Sequence, residues 1–461
     1  VMLLLDVWFG KRVPLLTPVM AVAGLVLSLA ASLYQIGQQA SAFNGMIRVD
    51  GFSIFLNNLF ALSGIVAIGL GYDYLKRVGI SEGEYYVLLL FSISGMMLMG
   101  SAGDLIIVFL SLELLSIPLY VLAGIDHKRD ASREASLKYF LLGTMASAFV
   151  LFGIAFVYGA AGTTSLYGIT EAVSQGKVQQ FLLICGSALL LAGFGFKVAA
   201  VPFHSWTPDV YHGSPSSVTA FMSVGAKAAG FAALIRVFSL NFTAIAIELT
   251  PLFWVLSALT MIVGNVVAVA QTNLKRMLAY SSIAHAGYIL MAFVGFGDAA
   301  VRQNSIASAL FYLAAYALTS LGAWSVLVAV EQQDGSGNEI SDLAGLGKTA
   351  PSLAAAMVVF MLSFTGIPLT LGFWGKFYLF RTAIEGGFTY LAVAGLLTSL
   401  VSAFYYLRVV VKMYFQPGEA LAHKGRLTSL IATILAILVV GLAFVPGYLF
   451  NLAAAGLIAG A

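Results

Sequence analysis

The sequence predicts an all-α polytopic membrane protein, and three observations carry that prediction. Of 461 residues, 60% are hydrophobic and only 9% are charged, against roughly 25% charged in an ordinary globular domain. Apolar runs of roughly 20 residues, the length that crosses a hydrocarbon core about 30 Å thick, recur down the whole chain. The runs are continuous rather than alternating, which selects helices over barrel strands. Such a composition excludes disordered, collagen-like, disulfide-rich and nucleic-acid-binding classes. The single cysteine, Cys185, excludes an intrachain disulfide and any multi-cysteine metal or iron–sulfur site.

In chain order the spans read near 13–33, 51–71, 85–103, 104–124, 136–160, 180–201, 215–238, 249–270, 277–297, 303–330, 352–386, 388–415 and 428–450. Residues 1–9 (VMLLLDVWF) would make only about 13 Å of helix. They read as the tail of a further span, about fourteen in all. With that fragment as span one, loops after odd spans hold Lys11, Arg12, Lys76, Arg77, Lys128, Arg129, Arg133, Lys138, Lys275, Arg276, Lys348, Arg408, Lys412, Lys424 and Arg426. Loops after even spans hold Arg48, Lys177, Arg236, Arg302 and Arg381. This asymmetry puts the odd loops in the cytoplasm and both termini in the periplasm of a bacterial inner membrane.

Three lysines and one carboxylate remain inside apolar segments: Lys197, Lys227, Lys376 and Glu113. A charge at the centre of a span costs roughly 2.5–3.5 kcal/mol on insertion scales. Desolvation disfavours the charged form of either residue type and brings it toward neutrality, the condition for relaying a proton. A static Glu–Lys pair that fixes helix packing accounts for Glu113 and one lysine. It leaves two lysines without an acid, which a hydrated path with movable protons does not. His285 lies in LAYSSIAHAGYILMAFV beside Ser281, Ser282 and Tyr288, either as a relay or as a satisfied core histidine. His204 and His212 flank Asp209 in VPFHSWTPDVYHGSPSS, but their spacing matches no strong metal-ligand pattern. A wet vestibule is the expectation there, with His204 a possible relay.

Two segments pair a lysine with helix breakers. Lys197 stands five residues before Pro202, and Lys376 follows Gly366, Pro368 and Gly372. As one helix, 352–386 would run about 52 Å, far beyond a bilayer, so a break near 366–372 is expected. Interrupted helices at corresponding places in two halves mark a transport path. The spacing of the two segments suggests inverted five-helix repeats, spans 4–8 and 9–13. The implied divisions are 1–84 (N-terminal helices), 85–240 and 248–416 (the repeats) and 427–461 (a last helix).

These residues fall in motifs with a known counterpart: SLELLSIPLYVLAG (111–124), EASLKYFLLGTMASAFVLFG (134–153), KVAAVPFHSWTPDVYHGSP (197–215), AKAAGFAALIR (226–236), NLKRMLAYSSIAHAGY (273–288) and SFTGIPLTLGFWGKFYLF (363–380). The chain resembles subunit N of the proton-pumping NADH:quinone oxidoreductase, respiratory complex I, an antiporter-like subunit. The proline-histidine-tryptophan loop is shared with subunits L and M and with Mrp sodium/proton antiporters; the first and last motifs point more narrowly to subunit N. The resemblance implies that Glu113, Lys197, Lys227 and Lys376 form a mid-membrane proton path, with His285 bridging the last two lysines. The mechanism expected of these residues is an ion pair between Glu113 and Lys197 whose strength depends on helix position, worth roughly 4 kcal/mol at 4 Å and an effective dielectric of about 20. The resemblance also implies that NADH, FMN, iron–sulfur clusters and quinone belong to partner subunits, with no cofactor in this chain. The neighbours it implies are subunit M, the small subunit K, the lateral helix of subunit L, and lipid, with no nucleic acid. A sodium-binding antiporter using Glu113 and Asp209, and a purely structural scaffold, are the alternatives.

Overall fold

The computed structural model describes residues 2–9, 15–80, 82–239, 243–423 and 425–456. Lys11, Arg12 and Lys424 lie outside the described residues, as do 1, 10, 13, 14, 81, 240 and 457–461 of the divisions above. The chain opens with α1 (Met2–Phe9), α2 (Leu16–Tyr34) and a hairpin of β1 (Ala40–Ala42) and β2 (Ile47–Val49). There follow α3 (Gly51–Val78), α4 (Glu82–Gly100), α5 (Leu105–Ala123), α6 (Asp130–Ala161), α7 (Leu166–Ser174), α8 (Gln180–Val198), α9 (Trp206–Gly213) and α10 (Ser216–Phe221). A π-helical turn (Met222–Ala226) joins α10 to α11 (Lys227–Phe238). Beyond it come α12 (Thr243–Val269), α13 (Leu274–Leu290), α14 (Ala299–Val330), α15 (Leu346–Thr349), α16 (Pro351–Thr365), α17 (Leu371–Glu385), α18 (Thr389–Phe415), α19 (Arg426–Gly441) and α20 (Pro446–Ala455). Among the described residues, 12 helical stretches are long and apolar enough to cross a membrane.

Several helices begin on a polar cap that satisfies the free N–H groups of the first turn. Asp50 caps α3 in a reciprocal pair with Ser53, its Oδ1 accepting the Ser53 N–H at 2.9 Å. Asp104 accepts the Ile106 N–H at 2.8 Å, Asn273 the Arg276 N–H at 3.2 Å and Asp298 the Ala300 N–H at 2.8 Å. Asp50, Asp104, Asn273 and Asp298 are therefore the caps at which these helices begin.

Helix association in lipid depends on close backbone approach, which small residues permit. A side chain at Gly186 of α8 would run into the Gly153 carbonyl of α6, and one at Gly287 of α13 into the Met261 backbone of α12. The middle of the molecule is α10–α11, α13 and α14, enclosed on nearly every face; α2, α6, α18 and α19 present large apolar side chains outward.

Loops separate to two ends. At one, β2 bridges Ala102, Asp104 bridges Ser165, and Arg236 pairs with Asp50. At the other, Asn273 bridges Glu339, Lys138 and Arg276 hold Asp209, Arg77 donates to the Val328 carbonyl, and Arg408 to that of Val269. The groups that meet are the even loops with even and the odd with odd, as an alternating traverse of a bilayer requires.

Candidate functional site

The first interruption is local chemistry at the end of α8. Ala199 takes a left-handed backbone (φ 62), and the Ala200 N–H closes on the Gly195 carbonyl at 2.8 Å. The chain then turns through 199–205, with Pro202 exposed in the turn, before α9 resumes at Trp206. Lys197 thus sits in the last turn of a half-helix, where unpaired carbonyls favour a cation. It is buried, its Nζ 5.4 Å from the ring centroids of both Tyr120 and Tyr139. Tyr139 stacks on Trp206 at 4.7 Å, and the Trp206 indole donates to the Phe196 carbonyl at 2.9 Å. Two tyrosine rings, absent from the sequence reading, therefore flank the ammonium, one of them backed by Trp206.

Glu113 corrects the expectation of a closed ion pair. It is within electrostatic reach of Lys197, but among the described residues the two form no contact within salt-bridge distance. Neither Lys197 Nζ nor Glu113 Oε1 has a hydrogen-bond partner. Glu113 is also only half-buried, on a face of α5 shared with exposed Leu110 and Ile117. Buried polar atoms left without protein partners are where ordered water or a neighbouring chain belongs.

Lys227 directly follows the π-helical turn, a distortion that re-aims side chains at functional positions. Its Nζ donates to both the carbonyl and the hydroxyl of Ser282, and the Tyr316 hydroxyl donates to the same Ser282 Oγ at 2.8 Å. His285, one turn further along α13, has both ring nitrogens engaged: Nδ1 with the Tyr312 hydroxyl at 2.6 Å and Nε2 with the Tyr406 hydroxyl at 3.1 Å. Tyr406 is in turn hydrogen-bonded to Ser281. The imidazole lies 5.3 Å from the Tyr316 ring and 5.7 Å from that of Tyr288.

The second interruption separates α16 from α17. Gly366 caps α16 in the left-handed region (φ 85), and Leu369 also has positive φ (72). Pro368 is exposed in the turn, and the Gly372 N–H is held by Ser363 Oγ at 3.1 Å. Lys376 folds back from α17 onto the end of α16. Its Nζ donates to the carbonyls of Phe364 (2.8 Å) and Thr365 (3.0 Å) and to Ser399 Oγ (2.6 Å). It stands 4.8 Å from the Tyr288 ring centroid. Tyr288 accepts from Asn265 at 3.1 Å, and Asn265 accepts from Tyr405 at 2.9 Å.

His204 stands apart. It is half-buried against the Pro202 backbone, and among the described residues no hydrogen bond links its ring to Glu113, Lys197, Lys227, His285 or Lys376. Asp209 forms no cluster with His204 and His212. Lys138 (2.7 Å) and Arg276 (2.8 Å) each pair with one of its two oxygens. Burial pushes the Asp209 carboxyl up, but those two cations more than offset this and hold it below the usual range. Among the described residues no group of three His, Cys, Asp or Glu side chains could hold a metal ion.

Two charged sites were missed because the sequence places them at span ends. Arg236 is buried and binds both oxygens of Asp50 (2.5 and 3.0 Å) as well as the Gly100 carbonyl. Lys275 is buried against Glu331 (2.7 Å), with Arg129 at 3.5 Å from the same oxygen. Burial raises the Glu331 carboxyl, yet Lys275, Ser216 and Arg129 together hold it below its ordinary value. At these two places burial is offset by a paired opposite charge; among the described residues Lys197, Lys227 and Lys376 have no acid within salt-bridge distance.

Two broken helices and enclosed lysines, with hydroxyls and an imidazole packed among them, define an antiporter-like membrane subunit. Residues 102–402 match the family model described as NADH:quinone oxidoreductase/Mrp antiporter, TM. NADH-quinone oxidoreductase subunit N of Trichlorobacter lovleyi is 46% identical over 412 residues, 89% of this chain and 83% of its own. Subunit N of Chloroflexus aggregans is 43% identical over 460 residues, 98% of this chain and 93% of its own. A chain of respiratory complex I from Thermus thermophilus with bound aureothin superposes with TM-score 0.81 at 36% identity, covering 98% of this chain and 100% of that one. A chain of the Mrp complex from Dietzia sp. DQ12-45-1b superposes with TM-score 0.88 at 20% identity, covering 99% and 95%, a likeness of fold. The chain belongs to the NADH:quinone oxidoreductase/Mrp antiporter membrane family, in its subunit N branch.

Proposed function

We propose that this chain is a proton-translocating membrane subunit of NADH:quinone oxidoreductase, in which Glu113, Lys197, Lys227, His285 and Lys376 pass protons along the middle of the membrane. The observation that carries this is the run of hydroxyls and imidazole between two buried lysines: Lys227 on Ser282, Tyr316 on Ser282, His285 between Tyr312 and Tyr406, and Lys376 on Ser399. Each hydroxyl both donates and accepts, so a proton can be handed on without a charged side chain moving. Lys197 lies in the last turn of α8 and Lys376 reaches the last carbonyls of α16, so a helix C-terminus favours each protonated state without a fixed counter-charge that would trap it.

The open geometry of Glu113 and Lys197 favours a switch. When a neighbouring chain or a helix shift brings the carboxylate closer, Lys197 holds its proton; when it recedes, the proton leaves toward Lys227. Glu113 lies on an outward face, which suits a subunit that takes its drive from a neighbour such as subunit M or K. Two inverted halves, 85–240 and 248–416, each contribute one broken helix. Redox chemistry, with NADH, FMN, clusters and quinone, belongs to the partners. The cytoplasmic side is the basic end, with both termini opposite, in a bacterial inner membrane.

The test is NADH-driven proton uptake in inverted membrane vesicles carrying Glu113→Gln or Lys197→Ala, with the assembled complex quantified in parallel. Pumping falls about 10-fold or more, the scale on which positioned acid–base groups act, while the complex assembles. Full pumping in both variants would overturn the proposal. A sodium-dependent activity that survives removal of the redox subunits would favour a stand-alone antiporter.

A further inference from the structure

We propose that the cavity between the N-terminal ends of α16 and α19 binds the phosphate headgroup of an anionic phospholipid. The cavity holds about 530 Å³ and is walled by Thr349, Ser352, His423, Arg426 and Thr433, with Leu353 and Leu430 below them. Its walls are fixed. Thr349 Oγ1 donates to the Ala420 carbonyl at 2.9 Å, and the His423 N–H to the Ala329 carbonyl at 2.8 Å, pinning the 416–423 segment over the end of α14.

Two side chains point to an anion. Arg426 is exposed, and among the described residues it forms no ion pair, unlike Arg236, Arg276 and Arg381. The Nε2 atom of His423 is closed off from solvent and, among the described residues, has no hydrogen-bond partner. The unpaired guanidinium is a fork that fits a phosphate, and His423, a second residue of the same wall, carries a ring nitrogen that has no acceptor among the described residues. First-turn N–H groups of α16 and α19 precede the first helical hydrogen bonds, Ala354 to Ala350 and Ser429 to Gly425, and add to the positive field. Asp73 approaches Gly425 but is not part of the cavity wall.

Lipid rather than free phosphate follows from what lies beneath. Leu430, Ile434 and Ile437 are exposed at i, i+4 and i+7 of α19, an apolar track running from the cavity down the membrane face. A phosphate seated at Arg426 lays its acyl chains on that track. The cavity is also at the end of the molecule that gathers the basic loops, where anionic headgroups accumulate.

The experiment uses the intact purified complex reconstituted with a photoactivatable phosphatidylglycerol, followed by peptide mapping of the crosslinks. Labelling is expected on the segments around 349–353 and 426–437. It falls about fivefold in Arg426→Gln, the worth of one basic residue near an anionic surface, and recovers in Arg426→Lys. Equal labelling in Arg426→Gln, or displacement by phosphatidylcholine as effective as by phosphatidylglycerol, would overturn the proposal. Displacement by inorganic phosphate at matched concentration would overturn the lipid assignment and leave a free-anion site.

Discussion

A lysine inside a bilayer needs partners, and the three here have different ones. Lys197 has two flanking tyrosine rings and no anion, Lys227 a serine, Lys376 two helix-end carbonyls and a serine. All three lysines were legible in the sequence, because an ammonium in an apolar run is rare enough to stand out. Tyr312, Tyr316 and Tyr406 were not, because a tyrosine in an apolar helix is ordinary and its role comes from side chains on other helices. Arg236 and Lys275 misled for the opposite reason: closeness to a helix end does not reveal that other loops close over it. Tyr406→Phe removes the hydroxyl between His285 and Ser281, so pumping is expected to fall at least severalfold while stability drops only about 1 kcal/mol, checked by vesicle acidification beside thermal unfolding. Glu331→Gln leaves Lys275 buried without its acid, at a cost of about 3–5 kcal/mol, read as loss of assembled complex on a native gel. Because the folded Glu331 carboxyl lies below its unfolded value, near 4.3, its stabilisation is complete above that pH and is lost as pH falls through the folded value. An acid-melting series in the wild type should show that loss, and Glu331→Gln should lack it.

At the scale of elements, the two interruptions are the main departure from a plain helix bundle. The second was legible from length and from Gly366 and Pro368, and the chain does leave the helix between Thr365 and Leu371. The first was marked by Pro202, but the residue that ends α8 is Ala199, in a left-handed conformation that nothing in an Ala-Ala pair announces. The π-helical turn before Lys227 was equally silent, since one extra residue per turn leaves no compositional trace. Gly366→Ala places a methyl group in left-handed backbone, costing about 1–2 kcal/mol, and its Cβ would come within 2.9 Å of Lys376 Cδ. The expected outcome is assembled complex with impaired pumping, seen by comparing quinone reduction with vesicle acidification. Gly372→Ala is harsher, since its Cβ would overlap the Ser363 carbonyl, and it should reduce the amount of assembled complex.

Over the whole molecule, charge is sorted by depth. Several edge charges cap helices or pair across loops, as Asp50 with Arg236 and Glu331 with Lys275 do, and these hold loops of the same end together. The interior keeps three lysines that no acid closes upon; Lys227 and Lys376 each rest on a serine, and His285 is held between two tyrosines. Membrane class, helix order and these lysines were readable in one sequence; the closure of loops over their charges and the wiring between helices required the fold. The central claim is that this interior carries protons. It is tested most directly by the number of protons translocated per NADH oxidised in Lys376→Ala membranes, at matched complex content and matched proton leak. The ratio is expected to fall below that of the wild type while quinone is still reduced; an unchanged ratio would contradict the account.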